Sequence, residues 1–169
     1  DIDKRNFTIV DVDGDGHKLQ QYNRLLFCDS KKRIWAGGEM GISVFNQVGT
    51  SLLPNTDFQI ASVLKQAFVN CFYETSSGYL WIGTRNGLFA LKESDKQFLQ
   101  YTTENGLPSN VIYGILEDAY GRLWISTNQG LSCLNSESGK FRNFTIMDGL
   151  QGNQFNAGAY CRKDNGYML

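Results

Sequence analysis

Arg33-Ile34-Trp35-Ala36-Gly37-Gly38-Glu39-Met40-Gly41-Ile42-Ser43 returns as Tyr79-Leu80-Trp81-Ile82-Gly83-Thr84-Arg85-Asn86-Gly87-Leu88-Phe89. It returns again as Arg122-Leu123-Trp124-Ile125-Ser126-Thr127-Asn128-Gln129-Gly130-Leu131-Ser132. The tryptophans lie 46 and then 43 residues apart, and a glycine follows each of them six residues later. A fixed period in this range is the mark of a repeat architecture, and it decides the fold before any single residue does. Residues common to the copies are therefore architectural. Function is to be sought where the copies differ.

Working outward from each tryptophan gives a unit of four strands. Before it stands a run of turn formers: Asp29-Ser30-Lys31-Lys32, Thr75-Ser76-Ser77-Gly78 and Asp118-Ala119-Tyr120-Gly121. Before those turns lie apolar, β-rich segments at 24–28, 68–73 and 111–116, which read as a first strand. The tryptophan segment is a second strand. A polar turn ending in Gly41, Gly87 or Gly130 leads to a third, at 42–45, 88–91 and 131–134. A fourth is visible at 97–102 and 140–145, and Asn6-Phe7-Thr8 resembles the tail of one from a preceding copy. Four short antiparallel strands in about 40–45 residues make one β-propeller blade. The expected fold is an all-β propeller segment of about three complete four-stranded antiparallel blades plus partial ones. The expected boundaries are a remnant over 1–16, blades over 20–62, 67–103 and 110–146, and a partial blade over 153–169. Residues 58–65, between the first two copies, read as an irregular connector. The chain starts at Asp1 and ends where the repeat predicts a strand, so it reads as an excerpt of a larger propeller.

Composition narrows the function classes. Eighteen glycines and two prolines suit many tight turns. The formal net charge is −1 with no basic run, so the electrostatic footprint of nucleic-acid binding is missing. No apolar run approaches the roughly 20 residues of a membrane helix, and no membrane contact is expected in this segment. Cys28, Cys71, Cys133 and Cys161 show no C-x-x-C spacing and occupy different repeat positions, which argues against zinc and dithiol chemistry. They read as small buried apolar residues on strands.

A second phrase also repeats. Glu104-Asn105-Gly106-Leu107-Pro108-Ser109-Asn110 recurs as Met147-Asp148-Gly149-Leu150-Gln151-Gly152-Asn153, and its Asn/Asp-Gly is a turn signal for the crossing between blades. Together with Leu80-Trp81-Ile82-Gly83-Thr84 and Gly87-Leu88, and with the run from Asp148 to Phe155, it resembles the two-component regulator propeller repeats. Nearly the whole chain takes part. The first copy departs from the pattern, with Ala36-Gly37-Gly38-Glu39 in place of Ile-Gly-Thr. The resemblance implies the periplasmic, ligand-sensing part of a hybrid two-component sensor of the Bacteroidetes. It implies an oligosaccharide ligand, a histidine kinase elsewhere in the same polypeptide, and a homodimer of the full-length protein.

Several constellations bear on chemistry. Asp11-Val12-Asp13-Gly14-Asp15-Gly16 matches the first half of a calcium loop, in which Asp11, Asp13 and Asp15 would converge on a hard cation. The bidentate acid needed at the twelfth position is Tyr22, so the loop pattern breaks, and a solvated acidic turn is the alternative. No cofactor is otherwise expected. His17 is the lone histidine, without a G-x-S-x-G partner motif. Glu39, Glu74, Glu117 and Asp118 fall near strand ends, and Glu74 and Glu117 share a repeat position, which favours a structural role over a catalytic pair. The variable turn residues Arg85, Asn86, Asn128 and Gln129 suit sugar hydroxyls, and Tyr113 or Tyr120 would stack on a sugar face. The tryptophans repeat in register and read as packing groups between blades. Asn6 and Asn143 stand in Asn-Phe-Thr sequons at one repeated strand position, which architecture explains. A ligand sensor is the leading reading. A secreted propeller enzyme (lyase or glycosidase) and a protein-protein interaction scaffold are the alternatives.

Overall fold

Glycine, serine and aspartate punctuate short apolar runs along this chain, and each run becomes a strand. The computed structural model describes residues 23–49, 51–57, 59–92, 97–136, 138–156 and 158–160. The first repeat forms β1 (Asn23–Cys28), β2 (Arg33–Gly38), β3 (Gly41–Val48) and β4 (Ser51–Pro54). After a short helix, α1 (Gln59–Val63), the second forms β5 (Val69–Glu74), β6 (Tyr79–Thr84), β7 (Gly87–Lys92) and β8 (Gln97–Tyr101). The third forms β9 (Ile112–Glu117), β10 (Leu123–Thr127), β11 (Gly130–Asn135) and β12 (Lys140–Phe144). Each repeat is one antiparallel four-stranded sheet with its strands in chain order. These are three adjacent blades of an all-β propeller. Neighbouring blades touch chiefly through β5 and β9, and through β1 and β2 against β5, so the first strand of each blade lies at the hub.

The first blade holds two departures from the sequence pattern. β4, which the pattern did not single out, pairs from Val48↔Ser51 to Phe45↔Pro54, and its proline is tolerated because the strand is an edge. The connector expected to be irregular contains α1. Ile60 and Leu64, one helical turn apart, are each 1% exposed and fill the seam between the first two blades. This longer connector accounts for the wider tryptophan spacing there. The other crossings are tighter. Thr102 and Asn105 form a reciprocal capping box, as do Thr145 and Asp148, and Gly106 (φ +107°) and Gly149 (φ +94°) end the two single turns in the left-handed region.

Strand alternation builds the core. On β6, Leu80 and Ile82 face the first blade and join a cluster with Trp35, Ile42, Val44 and Phe72. Trp81, between them, faces the other way and joins Ile112, Ile115, Leu123 and Ile125 of the third blade. Each blade thus presents its tryptophan to the blade that follows and its Ile/Leu face to the one before. Trp124 obeys the same geometry. It stacks on Phe144 at 5.5 Å. With Gly114, Leu116, Leu131, Phe155 and Tyr160 it borders a cavity of about 270 Å³ on the face where Trp35 and Trp81 meet their successor blades.

Polar groups lock the seams. Glu74 accepts from the Ser30 backbone N–H and hydroxyl at 2.7 Å each, and Glu117 accepts from the same groups of Ser76 at 2.9 Å each. The shared repeat position of these acids is therefore a latch between blades. Within a blade, Asp29 accepts from the Arg33 Nε–H at 2.6 Å and the Trp35 Nε1–H at 2.8 Å. Asp118 accepts from Arg122 Nε–H and Trp124 Nε1–H at 2.6 and 3.0 Å. Burial works to raise both carboxyls, but the tryptophan, arginine and backbone donors outweigh it and hold them below the ordinary aspartate value. In the middle blade these positions are Thr75 and Tyr79. Thr75 Oγ1 accepts from the Tyr79 N–H at 3.1 Å, and the buried Trp81 Nε1–H has no acceptor among the described residues.

Trp81→Ala removes a side chain 5% exposed from the seam of the second and third blades, and is expected to cost about 3–5 kcal/mol in urea unfolding. An unchanged midpoint would mean the blade register is wrong. The double change Thr75→Asp with Tyr79→Arg restores the acceptor and its counter-charge, and is expected to raise stability by about 1 kcal/mol. A lower midpoint than the parent protein would show that the indole N–H is not the weak point of that seam.

Candidate functional site

The turns between the second and third strands of a blade are rigid frames carrying variable side chains. Thr84 Oγ1 donates to the Gly87 carbonyl at 2.8 Å and accepts from the Asn86 N–H at 2.9 Å. Thr127 does the same with Gly130 (2.8 Å) and the Gln129 N–H (3.0 Å). Gly87 has φ +116°, and a Cβ there would stand 2.6 Å from the Tyr101 carbonyl oxygen, so only glycine fits. The Gly87 and Gly130 N–H groups donate across the seam to the carbonyls of Asn110 and Asn153, at 2.8 and 2.6 Å. Arg85, Asn86 and Gln129 are exposed on these frames, and Asn128 is half-buried.

The hub strands add a second row at the same end. β1, β5 and β9 each carry a bulge at one register position, where the pairing skips Arg24, Asn70 and Tyr113 in turn. A bulge re-aims a side chain and marks sites near function. The sequence pattern singled out Tyr113 but not Arg24 or Asn70, because pairing register is invisible in a single strand. Their equal distance of eleven residues before each tryptophan was the available signal.

The two rows meet at the seams. Between the first and second blades, Arg24 pairs with Glu39 at 2.5 Å, and its guanidinium carbon is 6.0 Å from the Phe68 ring centroid. The Arg85 guanidinium carbon lies 3.7 Å over the same ring. Between the second and third blades, the Asn70 amide donates to the Ile112 carbonyl at 2.7 Å, and in the turn between β10 and β11 the buried Asn128 Oδ1 has no hydrogen-bond partner among the described residues. Arg24, Glu39 and Arg85 thereby meet at one seam, and Asn70, Tyr113 and Asn128 hold the equivalent repeat positions at the same end, the rim, of the second and third blades. Asn86 and Gln129 stand beside them on the same turns, and the Asn86 carbonyl accepts from Gln100 Nε2 at 3.0 Å.

Tyr120 does not join them. It is 84% exposed, but it sits in the turn between β9 and β10, at the opposite end of the blade, with the Arg122 guanidinium 5.1 Å from its ring. Asp11, Asp13, Asp15 and His17 lie outside the described residues. Among the described residues, no three His, Cys, Asp or Glu side chains gather as for a metal. Glu39, Glu74, Glu117 and Asp118 are each committed to the partners given above. Asn143 is committed too: its amide donates to the Gly106 carbonyl at 2.9 Å and accepts from Ser132 Oγ at 2.6 Å.

Among the described residues the cysteines offer no nucleophile at the rim, and Cys161 lies outside those residues. Cys71 and Cys133 are buried and unpaired, and burial pushes the Cys71 thiol up to about 12. Cys28, expected inside, is exposed. It occupies on β1 the position that Glu74 and Glu117 hold on their strands, next to the turn at the blade end.

Comparison with known proteins agrees with this architecture. The chain is similar to the extracellular domain of a hybrid two component system from B. thetaiotaomicron, with a TM-score of 0.76 and 24% identity over 90% of this chain and 20% of that one. It is similar to the extracellular domain of a one component system of the same organism, with a TM-score of 0.69 and 23% identity over 87% and 22%. It also resembles virginiamycin B lyase from Staphylococcus aureus, at 0.56 and 18% over 85% and 46%. The chain therefore spans about a fifth of the length of the first two structures. No curated protein matches it. Residues 64–86 and 106–129 match the two-component regulator propeller repeat, and each match runs from the crossing before a blade through its tryptophan strand into the following turn. Over those two stretches, which belong to the second and third blades, the chain is similar to two-component regulator propeller repeats.

Proposed function

We propose that this segment is the ligand-sensing, extracytoplasmic part of a hybrid two-component sensor, located in the periplasm, and that it binds an oligosaccharide at the hub rim. The observation that carries the reading is the division of labour within each repeat. Threonine, glycine and backbone hydrogen bonds hold the turn in the second and third blades, and Gly41 with Gly38 in the threonine position forms it in the first, while the side chains mounted on it change from Glu39 and Met40 to Arg85 and Asn86 to Asn128 and Gln129. Rigid frames with variable polar tips are how a scaffold builds recognition. Amide groups match hydroxyls that both donate and accept. Ligand bound across several blades would favour one arrangement of a homodimer, and a histidine kinase elsewhere in the polypeptide would read it. The similarity to extracellular domains of two component systems supports this placement.

The experiment is a glycan array with the full extracytoplasmic region, followed by calorimetry on the hits. Asn128→Ala and Gln129→Ala are each expected to weaken binding about tenfold, the loss of one or two hydrogen bonds. Tyr120→Ala, at the far end of the blade, is expected to leave affinity unchanged. The opposite pattern would move the site to the other face. Likeness to a lyase favours an enzyme as second reading. Product formed from a bound glycan would establish that reading and displace the sensor.

A further inference from the structure

We propose that the rim corner between the first two blades is a carboxylate subsite, so that the ligand is an acidic oligosaccharide carrying a uronate. The inference rests on the sensor reading and specifies its ligand class. The corner holds two guanidinium groups, Arg24 and Arg85, around one ring, Phe68. Among the described residues one carboxylate, Glu39, serves them, and it is taken by Arg24 at 2.5 Å. Arg85 makes no ion pair among the described residues. Its backbone N–H donates to the Phe68 carbonyl at 3.0 Å, which ties the residue to the ring it covers.

The stacking geometry is what makes this a site and not merely a charge. A guanidinium lying 3.7 Å over an aromatic face spends its own face on the ring. Its N–H donors all lie in the guanidinium plane, so stacking leaves them pointing sideways. The group is thereby oriented before ligand arrives, and a planar carboxylate is the partner that accepts two parallel N–H bonds from such a fork. A neutral sugar would use the same donors one at a time. Position favours a sugar acid over a free small anion. The Asn128 and Gln129 turn lies one blade farther along the same rim, where it would take the hydroxyls of the next residue. Glu39 adds a sign. Its charge sits beside the incoming carboxylate and opposes it, so Glu39 is a specificity-setting neighbour.

The test uses the full extracytoplasmic region on an array of uronate-bearing, sulfated and neutral oligosaccharides, with calorimetry on the hits and on their methyl esters. Uronate-bearing hits are expected, with at least tenfold weaker binding on esterification and in Arg85→Gln. Arg85→Lys, which keeps the charge but loses the fork, is expected to recover only part of the loss. Glu39→Gln is expected to tighten binding severalfold, a gain that loss of a structural ion pair would not produce. Arg24→Gln is the second variant if Arg85→Gln melts early. Hits confined to neutral glycans would overturn the carboxylate subsite and leave the sensor reading standing. Sulfated hits alone would overturn the uronate assignment. Uronate hits indifferent to esterification and to both arginine changes would overturn the subsite. No binding to any class would overturn both readings.

Discussion

Burial of one blade's tryptophan face against the next blade's Ile/Leu face is the contact on which everything else here depends. A four-stranded sheet this short cannot shield both of its faces alone. Leu80 and Ile82 point one way and Trp81 the other, so the middle blade has two apolar sides and needs a neighbour on each. The hydrophobic term is non-directional, and it would tolerate some sliding of blade on blade. Glu74 and Glu117 remove that freedom. Each reaches across a seam to a backbone N–H and a hydroxyl of the preceding blade, a two-point contact that sets the stagger. The next seam differs in sequence: Ala119 stands where Ser30 and Ser76 provide the hydroxyl.

That stagger is also what makes a rim. The variable turn of one blade is pinned to the crossing that enters the next, through Gly87 to Asn110 and Gly130 to Asn153. The hub strands then bulge at the same register in all three blades, bringing Arg24, Asn70 and Tyr113 to the level of the turns. Stability and presentation are therefore separable along the chain. The residues that hold the blades are constant in kind, and the residues they display are not. Even the middle blade, whose Thr75 and Tyr79 replace the aspartate and arginine of its neighbours, keeps the same strand register while leaving the Trp81 indole N–H without an acceptor among the described residues. The architecture tolerates the loss because apolar burial dominates at that seam.

Much of the fold was legible in the sequence, and particular residues show why. Trp35, Trp81 and Trp124 announced the period, the alternation around them announced strands, and the glycines six residues later announced turns that only glycine fits. The Glu74 and Glu117 coincidence pointed correctly to architecture. What stayed hidden depended on partners distant in the chain or on weak local patterns. β4 has four residues and exists because β3 offers it an edge. α1 has five, too few for a periodic signal, and is fixed by burying Ile60 and Leu64 in a seam. Of the candidate site residues, Arg85, Asn86, Asn128, Gln129 and Tyr113 fall at one end of the blades and Tyr120 at the other, a distinction that strand direction makes.

The amino-acid sequence by itself determined the repeat, the four-strand unit and the constant residues of each copy, because period, alternation and turn chemistry are properties of neighbouring residues. Only the tertiary structure decided which variable residues stand together. The meeting of Arg24, Glu39, Phe68 and Arg85 joins two blades and spans two strand turns, a crossing and a bulge. Glu39 and Arg85 stand one repeat apart at the same turn position, but Arg24 and Phe68 hold different repeat positions, so the period does not foretell the meeting. Proximity there follows from how one sheet seats on the next, and that is set by packing across the seam.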